Sequence, residues 1–128
     1  TEALNDRQKA LKNASLLVVG LSYKPDVDDV RESPSLRLIE MLNKKGARVA
    51  YHDPYVPRMK KTRQYPSLLD MTSTPLQQLE ISSYDAVLIA TAHSAIDYQM
   101  IAEHAQLIID TRNAMKDVRN HREKIVKA

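Results

Sequence analysis

The sequence predicts an α/β fold, a Rossmann-like three-layer domain built on a mainly parallel sheet. Two observations carry that expectation. Apolar runs at residues 16–19 (LLVV), 86–90 (AVLIA) and 107–109 (LII) are continuous, as suits strands covered on both faces. Between them lie stretches with helical periodicity and capping residues, so strand and helix alternate along the chain. Such alternation implies right-handed crossovers, parallel strands and helices on both faces of the sheet. At 128 residues, one domain of this kind buries roughly two thirds of its unfolded surface, enough for a single core.

Residues 1–13 are polar and helix-like. They read as the end of a linker helix from an upstream domain, with Thr1 in place of an initiator Met marking a piece of a longer protein. The domain itself is expected over 14–128. Its first strand leads through Gly20 into a connection of about a dozen residues, where strand-to-helix loops usually take about 2–6. The first helix follows: Ser33 can cap it, Pro34 suits the first helical position and Gly46 suits the stop. Leu36, Ile39 and Leu42 form its apolar stripe with Leu38 and Met41 beside them, while Arg37, Glu40, Asn43 and Lys44 take the wet side. A second strand is expected at 47–51. Residues 54–74 show no clear period and read as loop with a short strand or helix. Further helices are expected at 75–80 and at 98–104, the latter capped by Asp97, and the charged tail from Lys116 reads as a weaker helix.

Composition excludes several classes of function. The chain has no Cys, hence no disulfide framework, thiolate metal site or cysteine nucleophile. No apolar run approaches the ~18 residues of a membrane span. The formal charge of +3 arises from 19 basic residues set among 16 acidic ones, and with neither Phe nor Trp only six Tyr remain for stacking. The basic clusters at 58–63 and 116–127 therefore read as solvated faces, with no nucleic-acid partner and no membrane partner expected. Only Gly20 and Gly46 occur, so the G-x-G-x-x-G dinucleotide fingerprint is absent.

A parallel sheet opens the loops that follow its strands on one edge, where ligands of open α/β folds bind. That edge should collect Tyr23 and Lys24 after the first strand, Asp53 after the second, His93 and Ser94 after the third, and Asp110, Thr111 and Arg112 after the last. A Lys from the first loop and an Arg from the last suit a dianionic group such as a diphosphate, with Tyr23 offering a flat face to a base or sugar. Simple solvation of both cations is the alternative. Asp26, Asp28, Asp29 and Glu32 lack the spacing of an oxygen-ligand cage, so no metal site is expected; helix capping and pairing with Arg31 account for them better. His93 and Ser94 come with no nucleophile elbow, and His52, His104 and His121 lack metal-like spacing.

The stretch LVVGLSYKPDVDDVRESP at 17–34 resembles the opening of the C-terminal UDP-binding domain of the UDP-glucose/GDP-mannose dehydrogenase family. The resemblance continues, in the family's order, through GARVAYHDPY at 46–55, YDAVLIAT at 84–91 and IDTRN at 109–113. It implies a fragment of an NAD-dependent UDP-sugar 6-dehydrogenase, an oxidoreductase that takes the C6 alcohol of a nucleotide sugar to a carboxylate in two steps and serves polysaccharide biosynthesis. The catalytic Cys and the NAD fingerprint would lie in upstream domains, leaving no catalytic residue here and an isolated fragment that is inactive. By motif position, Tyr23 matches the family's aromatic residue beside the nucleotide, where Phe is common. Lys24 and Arg112 match its substrate-contacting Lys and Arg, and Arg31 matches the Arg that reaches NAD held by the N-terminal domain. The segment AHSAIDY at 92–98 looks more like the UDP-N-acetylhexosamine enzymes than the UDP-glucose enzymes. The resemblance further implies a cytoplasmic enzyme, homo-oligomeric through its central domain. A non-catalytic Rossmann-like regulatory or partner-binding module is the competing expectation; it accounts for the missing glycine fingerprint and leaves the charged loop unexplained.

Overall fold

A computed structural model describes residues 12–22, 24–26, 30, 33–59, 68 and 71–127. Five strands form one all-parallel sheet: β1 Ser15–Val19, β2 Arg48–His52, β3 Ala86–Ile89, β4 Ile108–Asp110 and β5 Ile125–Lys127. Their spatial order is β2-β1-β3-β4-β5, so the chain reverses direction across the sheet between β1 and β3. Helix α1 (Pro34–Lys44) covers one face, and α2 (Gln78–Ser83) and α3 (Tyr98–His104) cover the other.

The pleat sorts the apolar runs into two cores. Leu16, Val18, Ala86, Leu88 and Ile109 pack with Leu36, Ile39 and Leu42 of α1, while Leu17, Val19, Val87, Ile89 and Ile108 pack with Ile81 of α2 and Ile101 of α3. Burial on both faces is what turns these strands into continuous apolar runs. Each fully buried Leu or Ile supplies roughly 1.5–3 kcal/mol of transfer free energy. β2, at the sheet edge, buries only Tyr51 fully and reads correspondingly mixed.

Local chemistry sets the helix ends. Ser33 Oγ accepts the Ser35 N–H, Pro34 occupies the first helical position, and Gly46 takes a left-handed φ of 91° just past the α1 terminus. Asp97 Oδ1 accepts the Met100 N–H at 3.1 Å and starts α3 as expected. α2 begins three residues later than the sequence suggests, because residues 73 and 74 are held extended along β2. Ser73 bridges Tyr51, and the Thr74 N–H bonds the Tyr51 carbonyl at 2.7 Å. In the irregular segment, Met59 N–H bonds Met71 O at 2.7 Å and Arg58 bridges Thr72, making a small antiparallel arm whose Met59 and Leu68 are buried.

The tail departs from its expected helix. Residues 122–124 form one 3₁₀ turn, and Ile125–Lys127 becomes β5, paired with β4 from Ile108↔Ile125 to Asp110↔Lys127. No apolar stripe exists there to bury, and the β-branched Ile125 and Val126 gain backbone partners on β4 instead. The tail's cations are used on carbonyls: Lys124 Nζ donates to Ala105 O at 2.8 Å beyond the end of α3, and Arg122 donates to Met115 O at 2.7 Å.

His52 ties β2 to this scaffold through Nδ1, 2.7 Å from the Thr74 carbonyl it donates to. Burial holds its imidazole below the usual pKa, outweighing the Thr74 bond and Asp53, which push it up. The unfolded chain therefore binds more protons than the native one below about pH 6.5, and His52's contribution to stability is lost as pH falls from there through the folded pKa. Melting temperatures between pH 7.5 and 5 should fall more for the parent than for His52→Asn, which keeps a donor to Thr74 and removes the titration. Parallel curves would refute the assignment.

Candidate functional site

The site grows from the aligned strand ends. Val19 stands level with His52 on one side and Ile89 on the other, so the residues that follow β1, β2 and β3 leave the sheet abreast. Gly20, directly after β1, has φ 95°, and its N–H bonds the His52 carbonyl at 2.9 Å. A Cβ built there would lie 2.4 Å from Thr91 Cβ and 2.8 Å from Thr91 N and O. Glycine is thus required twice over, for the backbone conformation and for the approach of the β3 loop.

Over Gly20 the two flanking loops join. Asp53 and His93 bury their side chains completely, with His93 Nε2 2.9 Å from Asp53 Oδ2. Asp53 Oδ2 also accepts the Leu21 N–H at 2.7 Å and Oδ1 accepts the Tyr55 N–H at 2.8 Å. A buried carboxylate is tolerated because donors from three segments surround it. His93 Nδ1 lies 2.8 Å from the Asp26 N–H and accepts from it, so that nitrogen carries no proton and Nε2–H is the donor to Asp53. The Tyr55 ring meets the His93 ring edge-on at 5.0 Å, and Tyr98 Oη donates to the His93 carbonyl. Burial pushes the Tyr98 hydroxyl up to about 12, so it stays a donor.

The loop after β1 is tied down around Lys24. Ser22 Oγ donates to Lys24 O at 2.6 Å, and Thr91 Oγ1 donates to Ser22 O at 2.6 Å. Asp26, at φ 63°, is gripped by Ser94, whose N–H and hydroxyl each lie 2.7 Å from a carboxylate oxygen. Those bonds hold the exposed Asp26 carboxyl below its ordinary pKa. This differs from the helix-capping role expected of Asp26; Ser33 is the cap, and its hydroxyl donates to Leu21 O. The Lys24 side chain remains exposed.

After β4, the buried Asp110 organises the last loop. Its Oδ1 accepts the N–H groups of Arg112 and Ala114, both at 3.0 Å, and its Oδ2 accepts Met115 N–H at 2.9 Å. Arg112 Nε donates to Ala90 O at 3.0 Å, laying the side chain across the end of β3. There it borders an open groove of about 490 Å³ between α1 (Pro34, Arg37, Leu38, Met41) and the ends of β3 and β4 (Leu88, Ala90, Thr111). Met41, expected beside the helix stripe, is 46% exposed as part of that wall.

The sheet edge thus collects Lys24, Asp53, His93, Ser94, Asp110, Thr111 and Arg112 as the spacing suggests. Tyr23, Arg31, Asp28, Asp29 and Glu32 lie outside the described residues. Lys24 and Arg112 stand on different loops of this edge; only Arg112 lines the groove. Sequence reasoning places Asp53 and His93 on this edge, Asp53 as a strand exit and His93 outside any hydrolase triad, and does not pair them. The signal available was positional: each follows a strand that flanks β1. Among the described residues no group of three or more His, Asp or Glu could hold a metal ion, and no helix is long and apolar enough to cross a membrane.

Comparison with known proteins bears on this edge. Residues 17–117 match the model of the UDP binding domain of the UDP-glucose/GDP-mannose dehydrogenase family. A UDP-glucose 6-dehydrogenase of Rickettsia bellii is 37% identical over 113 residues, covering 83% of this chain and 25% of the relative. A UDP-N-acetyl-D-mannosamine dehydrogenase of Pyrococcus horikoshii is 30% identical over 121 residues, covering 91% of this chain and 26% of the relative. The solved structure of a UDP-D-ManNAc dehydrogenase from Pyrococcus horikoshii superposes with a TM-score of 0.73 at 26% identity, over 98% of this chain and 28% of that one. The chain spans about a quarter of the length of the relatives it matches.

Proposed function

This chain belongs to the UDP-glucose/GDP-mannose dehydrogenase family, and from that premise we propose that it is the nucleotide-sugar-binding domain of an NAD-dependent UDP-sugar 6-dehydrogenase. What supports this most is that Lys24 and Arg112 both stand exposed on the edge where the β1 and β4 loops emerge, Arg112 beside an apolar-walled groove. The groove's 490 Å³ falls in the range of small-ligand sites, about 300–1,000 Å³. A nucleoside can lie against Leu38, Met41 and Leu88 while the Arg112 fork and the Lys24 ammonium meet the diphosphate. Tyr23, by motif position, offers its ring to the nucleotide.

The whole reaction needs more than this chain holds. With only Gly20 and Gly46 in its sequence, the chain carries no G-x-G-x-x-G turn to cradle the pyrophosphate of NAD. The cofactor is therefore assigned to upstream residues, with Arg31 as this chain's contact to it. Lacking Cys, the chain leaves the covalent chemistry at C6 to those same residues. Its own work is to bind and orient the UDP moiety and, as the domains close, to exclude water. The substrate is UDP-glucose or a UDP-N-acetylhexosamine, the latter favoured by the segment at 92–98. The enzyme is proposed to be cytoplasmic and homo-oligomeric.

Calorimetric titration of UDP into the full-length enzyme tests the assignment. Lys24→Ala and Arg112→Ala are each expected to raise the Kd about 10–100-fold, the loss of a charge-assisted hydrogen bond. Unchanged UDP affinity in both variants would sink it.

A further inference from the structure

We propose that His93 and Asp53 are positioning residues, a buried clamp that fixes the loop carrying Lys24 in its nucleotide-binding geometry; this rests on the nucleotide-binding function proposed above. Neither side chain reaches solvent, so neither can touch a ligand. Their effect is exerted through the backbone. His93 spans two elements with one ring: Nε2–H donates to Asp53 at the end of β2, and Nδ1 accepts the Asp26 N–H in the β1–α1 loop. Asp53 in turn holds Leu21 N–H at the start of that loop. Lys24 therefore sits in a short span anchored before it at Leu21 and Ser22 and after it at Asp26.

The clamp has a direction. The Asp53 side joins β2 to β3 and, through the Leu21 N–H, fixes the start of the loop. The Nδ1 side reaches across to Asp26 and serves the loop. Asp26 needs that support: it is a non-glycine residue at φ 63°, a conformation that persists where surrounding bonds over-determine it. Ser94 supplies two further bonds to the Asp26 carboxylate, one from its backbone N–H and one from its hydroxyl, both exposed. The His93 bond is the one in the set whose acceptor side chain is buried.

Two substitutions separate the halves of the clamp. His93→Asn puts an acceptor where Nδ1 stood and leaves Asp53 without its third donor. His93→Gln keeps a donor near Asp53 and deprives the Asp26 N–H of its acceptor. Amide hydrogen exchange on the full-length enzyme, read at the Asp26 amide, reports on the loop without any ligand. In His93→Gln the Asp26 amide should exchange at least about tenfold faster while β1 and β3 amides keep their protection; in His93→Asn it should stay protected. Uniform loss of protection in both variants, or an unmoved Asp26 amide in His93→Gln, overturns the proposal. UDP titration supplies the functional arm: His93→Gln should raise the Kd about tenfold, as misplacement of a binding group does, with His93→Asn restoring most of the affinity. Unaltered affinity in His93→Gln beside a freed Asp26 amide would also overturn it. Should the parent protein take up no UDP at all, the nucleotide function fails, and the exchange data judge the clamp separately.

Discussion

Gly20→Ala is expected to cost about 2–5 kcal/mol of stability, combining roughly 1–3 kcal/mol for forcing atoms into a packed site with about 1–2 kcal/mol for a left-handed side-chain-bearing residue. The new methyl would sit 2.4 Å from Thr91 Cβ and 2.8 Å from its backbone, and a strand end has no flexible tip that can move aside. Melting followed by circular dichroism should show a drop of about 10 °C or more for a domain of this length. Gly46→Ala is the control. It shares a left-handed φ, 91°, but its nearest neighbour is the flexible Lys12 side chain at 3.1 Å. Equal losses at the two glycines would mean that backbone conformation alone matters and that the close approach of the β3 loop does not.

Asp110→Ala is the second large effect. Three backbone N–H groups, of Arg112, Ala114 and Met115, converge on one carboxylate that is 2% exposed. Truncation leaves them without a partner; the Met115 bond is buried and the other two partly so, which makes the loss about 2–3 kcal/mol, given roughly 1–3 kcal/mol per fully buried unsatisfied group. Asp110→Asn retains one oxygen acceptor and should fall about midway. Urea midpoints at constant m measure both. A neutral Asp110→Ala would mean that water satisfies the turn and that Asp110 does not shape it. Because the same turn carries Arg112, UDP affinity of the full-length enzyme should fall with it, even where the protein is fully folded.

Much of the fold is legible because burial writes itself into composition. β1, β3 and β4 lie between two cores and read as unbroken apolar runs, and α1 carries cap, proline, stripe and stop in order. β5 was hidden because three residues at a sheet edge carry almost no pattern, and charged neighbours made the tail look helical. α2 shifted because tertiary pairing of residues 73 and 74 with β2 overrode its own start signal. At the candidate site, the edge and its exposed cations followed from parallel topology alone. The Asp53–His93 pair did not, since it joins residues 40 apart and no local pattern encodes such a meeting. The strand order brings them together, and that is knowable only once β1 is placed between β2 and β3.

That strand order also sets when the site can exist. β1 emerges first during synthesis, yet the bonds that fix its outgoing loop run to His93, Thr91 and Ser94, across sequence separations of 67 to 71 residues. Closing so long a loop costs entropy before any contact repays it. The stretch from Ser22 to Asp26 therefore lacks its partners until β3 is synthesised and docks against a strand paired on its other side with β2. The first half of the domain can supply the Leu21–Asp53 bond, but the partners of Ser22 and Asp26 arrive only with the β3 loop.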